Sequence, residues 1–365
     1  IIEGDAQTDA QCDAMCAAQW TEVTSTGSEK EWRAIASSAD GTKLAAVVNG
    51  GNIWTSDDSG ASWTERKYLP QWRDITSSAD GTKLAANAND ANIWTSSDSG
   101  ATWTEVDYDG WDNRKLWNSI TSSADGTKLA ATTTGSYGTI WTSENSGATW
   151  TKVIVLNNDG SGSTLYANWH EITSSADGTK LAAVVAAGDI WTSSDSGATW
   201  TKFTKWRNWR GITSSADGTK LAAVVMNGNI WTSSNSGATW TEVTVGHGTI
   251  NWRGITSSAD GTKLAAVGWG THIWTSSDSG VTWTEDTSTG ATKTWLAITS
   301  SSDGTTLAAV VENGNIWTKD GSGARYASGT ECHVLYTSAP AGYELIENGN
   351  NFTQHEQRAC GLGTY

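Results

Sequence analysis

Four arginines, Arg33, Arg73, Arg210 and Arg253, each directly follow a tryptophan, forming the pairs Trp32-Arg33, Trp72-Arg73, Trp209-Arg210 and Trp252-Arg253. Aromatic faces pack on the C–H surface of a sugar, and a guanidinium donates planar hydrogen bonds to carboxylate or hydroxyl oxygens, so a repeated Trp-Arg pair is a candidate sugar or anion platform. Trp111 and Trp269 are further candidate ligand-binding aromatics. The bland account of the same residues is that the tryptophans fill the core and the arginines line a wet channel. Hydrolytic chemistry has less support. A glycosidase needs two carboxylates about 5 to 10 Å apart, and Asp107, Asp109, Asp112, Asp159, Glu171 and Asp189 stand off the common pattern of the chain. Nothing in their spacing pairs two of them, and solvated loop positions account for them. His170, His247 and His272 are isolated, and there is no Ser-His-Asp constellation, phosphate-cradling glycine loop or metal-ligand spacing. No cofactor and no metal are expected, and the reading leans away from an enzyme.

The elements that must carry these residues come from a repeat. Copies start at Trp32, Trp72, Trp117, Trp169, Trp209, Trp252 and Trp295, at steps of 40 to 52 residues. The copy beginning at Trp209 reads as a strand over 209–213, a turn at Asp217-Gly218 and a strand over 220–225. A turn at Asn227-Gly228 then leads to strands over 229–232 and 239–243. Asp-Gly and Asn-Gly accept the positive φ of tight hairpin turns, so each copy is a four-stranded antiparallel meander. A period near 40 to 50 residues with four strands per copy predicts an all-β fold, a seven-bladed β-propeller. The seventh copy lacks its last strand, and residues 18–23 match that strand. The ring is therefore expected to close by an N-terminal strand completing the last blade, which removes exposed sheet edges.

Propeller geometry puts the first and third turns of each copy on one face, where the copies are nearly invariant. The second turns and the links between blades lie on the other, where residues 87–91, 132–139 and 268–272 and the links 107–116 and 153–168 diverge. Loops free to vary are where binding is built. Tyr68, Tyr108, Trp111, Tyr137, Tyr166, Trp206 and Trp269 fall in or beside them. Near-identical blades suit several shallow sites or one broad surface better than one asymmetric catalytic centre.

The expected organisation is an N-terminal cysteine-containing segment over 1–17, the propeller over 18–326 and a C-terminal disulfide-stapled tail over 327–365. Cys12, Cys16, Cys332 and Cys360 lie only at the ends, which points to two disulfides with three pairings open. Bridges joining the termini would add roughly 4–5 kcal/mol on the chain-entropy model and imply an oxidising compartment. Asn351-Phe352-Thr353 is an N-glycosylation sequon, and a chain starting at Ile1 without an apolar signal region fits a processed, secreted protein. The net charge of −16 excludes nucleic acid and anionic membranes as natural partners. No run of 18 apolar residues exists, so no membrane span is expected. Much of the charge is expected to be structural, because aspartates recur in the turns.

Ser96-Ser97-Asp98-Ser99-Gly100-Ala101-Thr102-Trp103 resembles the Asp-box, S-x-D-x-G-x-T-W, of sialidase-type (BNR-repeat) propellers, and the pattern recurs around Asp58, Asp195 and Asp278. Looser copies carry Asn145 and Asn235 at the Asp position. The resemblance covers about residues 18 to 326. It implies a folding element between the third and fourth strands, on the face away from the active site, with the Asp capping turn N–H groups, glycine taking a special dihedral and tryptophan packing between blades. The family includes sialidases, xyloglucan-active glycosidases, photosystem assembly factors of the thylakoid lumen and sortilin-like receptors, so the resemblance implies no one function. A sialidase needs a converging arginine triad, normally announced by Arg-Ile-Pro, which is absent here. The four arginines look instead like repeated decoration. The expected function is a non-enzymatic extracellular binding or assembly module presenting its variable face to glycans or proteins, with self-association as a further option. The alternatives are a glycoside hydrolase of sialidase-like architecture or a lumenal assembly-factor-like protein.

Overall fold

A computed structural model describes residues 19–68, 71–106, 115–157, 163–246, 248–321, 324–328, 331–335, 346–347 and 350–351, with side chains described up to residue 321 except at 67 and 68. The chain divides into two units, Thr21–Thr318 and a smaller one made of Ile1–Trp20 and Lys319–Tyr365. In the smaller unit, Ala324–Ser328 pairs with Glu331–Leu335 and Ile346–Glu347 with Asn350–Asn351. Cys12, Cys16 and Cys360, and the side chains of Cys332 and Asn351, lie outside the described residues.

In the larger unit the described elements are β-strands. Copy five shows how the sequence makes them. Trp209 to Ser214 pairs with Leu221–Gly228, which pairs with Ile230–Ser233, which pairs with Thr241–Val243, all antiparallel. The Leu221-Ala-Ala-Val-Val run is buried throughout, because both of its faces are covered. Leu221, Ala223 and Val225 pack with Ala182, Val184 and Ile190 of the copy before, while Ala222 and Val224 pack with Trp252, Ile255 and Leu264 of the copy after. Period-2 alternation thus sends successive residues into two different interfaces. The core lies between the sheets.

The other copies repeat this antiparallel order among the described residues. The one containing Trp295–Ser300 takes its fourth strand from the N-terminal side, in the order Trp20–Val23, Ile316–Lys319, Leu307–Val311, Trp295–Ser300. Backbone bonds then tie the first turns into a cycle. The N–H of Ala39 donates to the carbonyl of Ala79, and the chain continues through Ala124, Ala176, Ala216, Ala259 and Ser302 back to Ala39, each bond 2.6–2.7 Å long. Val23, Ala308, Val310 and Ile316 pack with Trp32, Ile35 and Leu44, so the seventh copy meets the first as the others meet one another.

The first and third turns lie together, as the bond from Ser99 N–H to the Thr82 carbonyl (2.9 Å) shows in copy two. In the third turn of copy two, Asp98 accepts from Thr102 Oγ1 (2.6 Å), Thr102 N–H (2.8 Å) and Ser96 Oγ (2.8 Å), which holds its pKa down at about 2. Asp58, Asp195 and Asp278 accept in the same way, and Asn145 and Asn235 keep the bond from the backbone. Both Ser99 (φ 57°) and Gly100 (φ 83°) are left-handed. A Cβ on Gly100 would stand 2.8 Å from Thr55 Cγ2 of the preceding copy, so the glycine answers both to backbone and to packing.

Candidate functional site

Each copy opens on a β-bulge. In copy five Trp209 pairs with Val225 and Gly211 with Val224, which leaves Arg210 as the extra residue, and the same shift follows the opening tryptophan of every copy. A bulge re-aims the side chain it carries. The re-aimed residues are Arg33, Arg73, Asn118, His170, Arg210, Arg253 and Leu296.

The charges of these residues act on one another. The Arg73 guanidinium is shifted below its ordinary pKa by burial and then by Arg33. Arg253 is lowered by burial and by Arg210 and Arg33, against an opposing pull from Glu312. His170 is held down at about 4 by burial, with Arg210, Arg253 and Arg73 adding to the effect, so it is neutral at pH 7. Compensation is sparse. Arg33 pairs with Glu31 at 3.2 Å, Arg210 Nη2 meets Met226 Sδ at 3.1 Å, and Arg253 stacks on Trp269 at 3.9 Å from the ring centroid. The Nε atoms of Arg33, Arg210 and Arg253 and Nδ1 of His170 are buried and make no hydrogen bond within the protein. Buried guanidinium Nε–H donors without partners are costly, and a ligand carboxylate or other oxyanion beside the guanidiniums would offset their charge.

Beside this cationic ring the next position of three consecutive copies is polar. Asp74 accepts from Ile75 N–H and, across to the next copy, from Ile120 N–H, both at 2.8 Å. Ser119 Oγ accepts from Ile172 N–H at 3.4 Å. Burial raises the Asp74 carboxyl to about 6, and burial together with the Asp74 charge pushes Glu171 well above the usual range. In copies one, five, six and seven this position is Ala34, Gly211, Gly254 and Ala297. The inner strands are therefore where the copies differ chemically.

No family model and no curated protein matches the chain. Solved structures do. YCF48 from Cyanidioschyzon merolae aligns with a TM-score of 0.64 at 17% identity, covering 83% of this chain and 99% of that one. YCF48 bound to D1 peptide gives 0.62 at 14%, over 83% and 96%. Virginiamycin B lyase from Staphylococcus aureus gives 0.64 at 19%, over 83% and 98%. The GH74 xyloglucanase from Xanthomonas campestris gives 0.62 at 16%, over 82% of this chain and 53% of that one. The fold is a β-propeller.

On this propeller the expected site residues separate. Arg33, Arg73, Arg210 and Arg253 occupy the same bulge position in their copies, and the charge of Arg33 reaches Arg73 and Arg253. Their neighbours Trp32, Trp72, Trp209 and Trp252 are 0% exposed and present no face to a ligand, because they fill the space between sheets; Trp32 and Trp209 are set edge-on to Trp54 and Trp231. Stacking of each arginine on its own tryptophan is thereby replaced, at Arg253, by Trp269 from a second-turn loop. Glu171 is not a solvated loop carboxylate but part of the inner strand Trp169–Ser174. Asp189 accepts from Lys205 N–H at 2.9 Å. Trp111, Asp107, Asp109, Asp112, Asp159 and His247 lie outside the described residues. Asp74, Asn118 and the role of His170 were missed, and the signal was local: they occupy the two positions after the opening tryptophan, where the copies disagree. No helix among the described residues is long and apolar enough to cross a membrane.

Proposed function

We propose that the chain is a seven-bladed Asp-box propeller that works as an extracellular binding or assembly module, taking up an anionic group at the end of the ring where the bulged arginines converge. One observation carries this reading: four guanidiniums stand at the same bulge position of their inner strands, three with a buried Nε left unpaired, and act on one another's charge, in a chain of net charge −16. Mutual repulsion among these arginines weakens the fold unless an anion offsets it, and the loops around them are the ones that vary between copies. A hydrolase reading is less favoured, because Asp74 and Glu171 are committed to backbone N–H groups of neighbouring strands. A protein contact elsewhere on the ring is favoured by a separate patch on copy three, where Leu116, Tyr137, Ile154, Leu156 and Tyr166 are exposed together. YCF48, similar in fold, is known bound to D1 peptide.

The test is calorimetric titration of the disulfide-intact protein with two anionic hexamers, oligoglutamate and alginate, at low and raised salt. Binding of at least one is expected, weakening with salt and falling roughly tenfold or more in Arg73→Gln/Arg253→Gln, the equivalent of about 1.4 kcal/mol. No binding of either, or binding indifferent to the double substitution, would overturn the reading.

A further inference from the structure

The strand Thr201–Ser214 joins copies four and five without a break, and residues 196–216 contain Lys202, Lys205, Arg207 and Arg210 but no acidic residue. Lys202 lies 3.8 Å from Asp189, whereas Lys205 and Arg207 sit over the Trp231 ring at 5.3 and 5.8 Å. Between them Trp206 is 66% exposed. The strand then reaches Arg210, and the next residue, Gly211, packs against the Arg253 backbone, where an added Cβ would stand 3.4 Å from the Arg253 carbonyl oxygen; Arg253 in turn stacks on Trp269, itself 43% exposed. Trp206, Arg207, Arg210, Arg253 and Trp269 thus follow one another along neighbouring strands, with an open indole at each end and three guanidiniums between them.

We infer that this track binds an acidic polysaccharide, a chain of uronate sugars, with carboxylates on Arg207, Arg210 and Arg253 and pyranose C–H faces on Trp206 and Trp269. The inference rests on the anion-binding reading above and adds the ligand class. Charge complementarity favours a polyanion here, on an otherwise acidic protein. The apolar surface on offer is only flat aromatic rings flanked by planar donors, which matches a sugar ring carrying a carboxylate. The exposed aliphatic side chains Leu116, Ile154 and Leu156, which a peptide anchor would seek, belong to copy three.

The deciding experiment titrates the wild-type protein, Trp206→Ala and Arg207→Gln with alginate hexamer, the same hexamer with its carboxyls reduced to alcohols, and hexaglutamate. Trp206 is exposed and Arg207 half-buried, and circular dichroism checks that each variant is folded. The expected result is binding of alginate only, weakened roughly tenfold by either substitution, in line with loss of one aromatic or charge-assisted contact. Equal binding of alginate and hexaglutamate, both indifferent to Trp206→Ala, would sink the polysaccharide assignment and leave the anion reading standing. Binding of the reduced hexamer as well as the acidic one would remove the uronate requirement. Binding of neither anion would take down both readings.

Discussion

Asp74 shows how a single side chain records its surroundings. The residue keeps some accessible surface, yet its carboxyl is enclosed deeply enough to titrate near 6 instead of 3.8. A carboxyl whose pKa rises on folding makes the native state the better proton binder, so its contribution to stability is complete below about pH 4 and is lost as pH rises through 6. His170 works in the opposite sense. Its folded pKa is near 4 instead of 6.5, so its contribution is present above 6.5 and lost as pH falls through 4. The two overlap, and the difference between wild type and Asp74→Asn isolates the carboxyl. Chemical denaturation from pH 4 to 7.5 is expected to show the asparagine variant gaining on wild type as pH rises, by at most about 3 kcal/mol for a shift of two pH units. A pH-independent difference would show that burial at Asp74 is relieved by water.

At the scale of the element, the turn over residues 96–103 is a folding device whose parts are separable. Asp98 satisfies turn donors, while Ser99 and Gly100 supply two successive left-handed residues. Gly100→Ala therefore meets two costs, an unfavourable φ for a residue with a Cβ and a 2.8 Å approach to Thr55 of the neighbouring copy. A loss of about 1–3 kcal/mol is expected in urea unfolding, with the anion affinity unchanged because the turn lies at the end of the sheets away from the arginines. A loss of affinity equal to that of an arginine variant would contradict the separation of the two ends. The bulge at the other end has the complementary role: one extra residue per inner strand turns an ordinary strand position into a side chain aimed at its counterparts.

For the whole molecule, closure depends on a strand from the far end of the chain. Trp20–Val23 covers Ile316–Lys319, so deleting residues 1–23 would expose an unpaired edge and the apolar interface around Val310 and Ile316. Size-exclusion chromatography of that deletion is expected to show aggregates and a broadened thermal transition; a monomer as stable as wild type would refute strand closure. Much of this architecture was legible in the sequence. Strand count, turn positions and the closing strand follow from local rules: period-2 alternation, Asp-Gly turns and a tandem repeat, each readable within a few residues. The candidate site was only half legible. The arginines could be picked out by their spacing, and Trp206 and Trp269 by their place in divergent loops. That the charge of Arg33 reaches Arg253 across 220 residues, that the adjoining tryptophans are sealed away, and that the Asp74 charge acts on a buried Glu171 were decided by the tertiary structure. Those facts depend on how inner strands from distant copies are brought together when the ring closes, and on a bulge that turns one side chain per strand. Repetition determined the frame from sequence alone, while convergence of the unlike residues needed the closed ring.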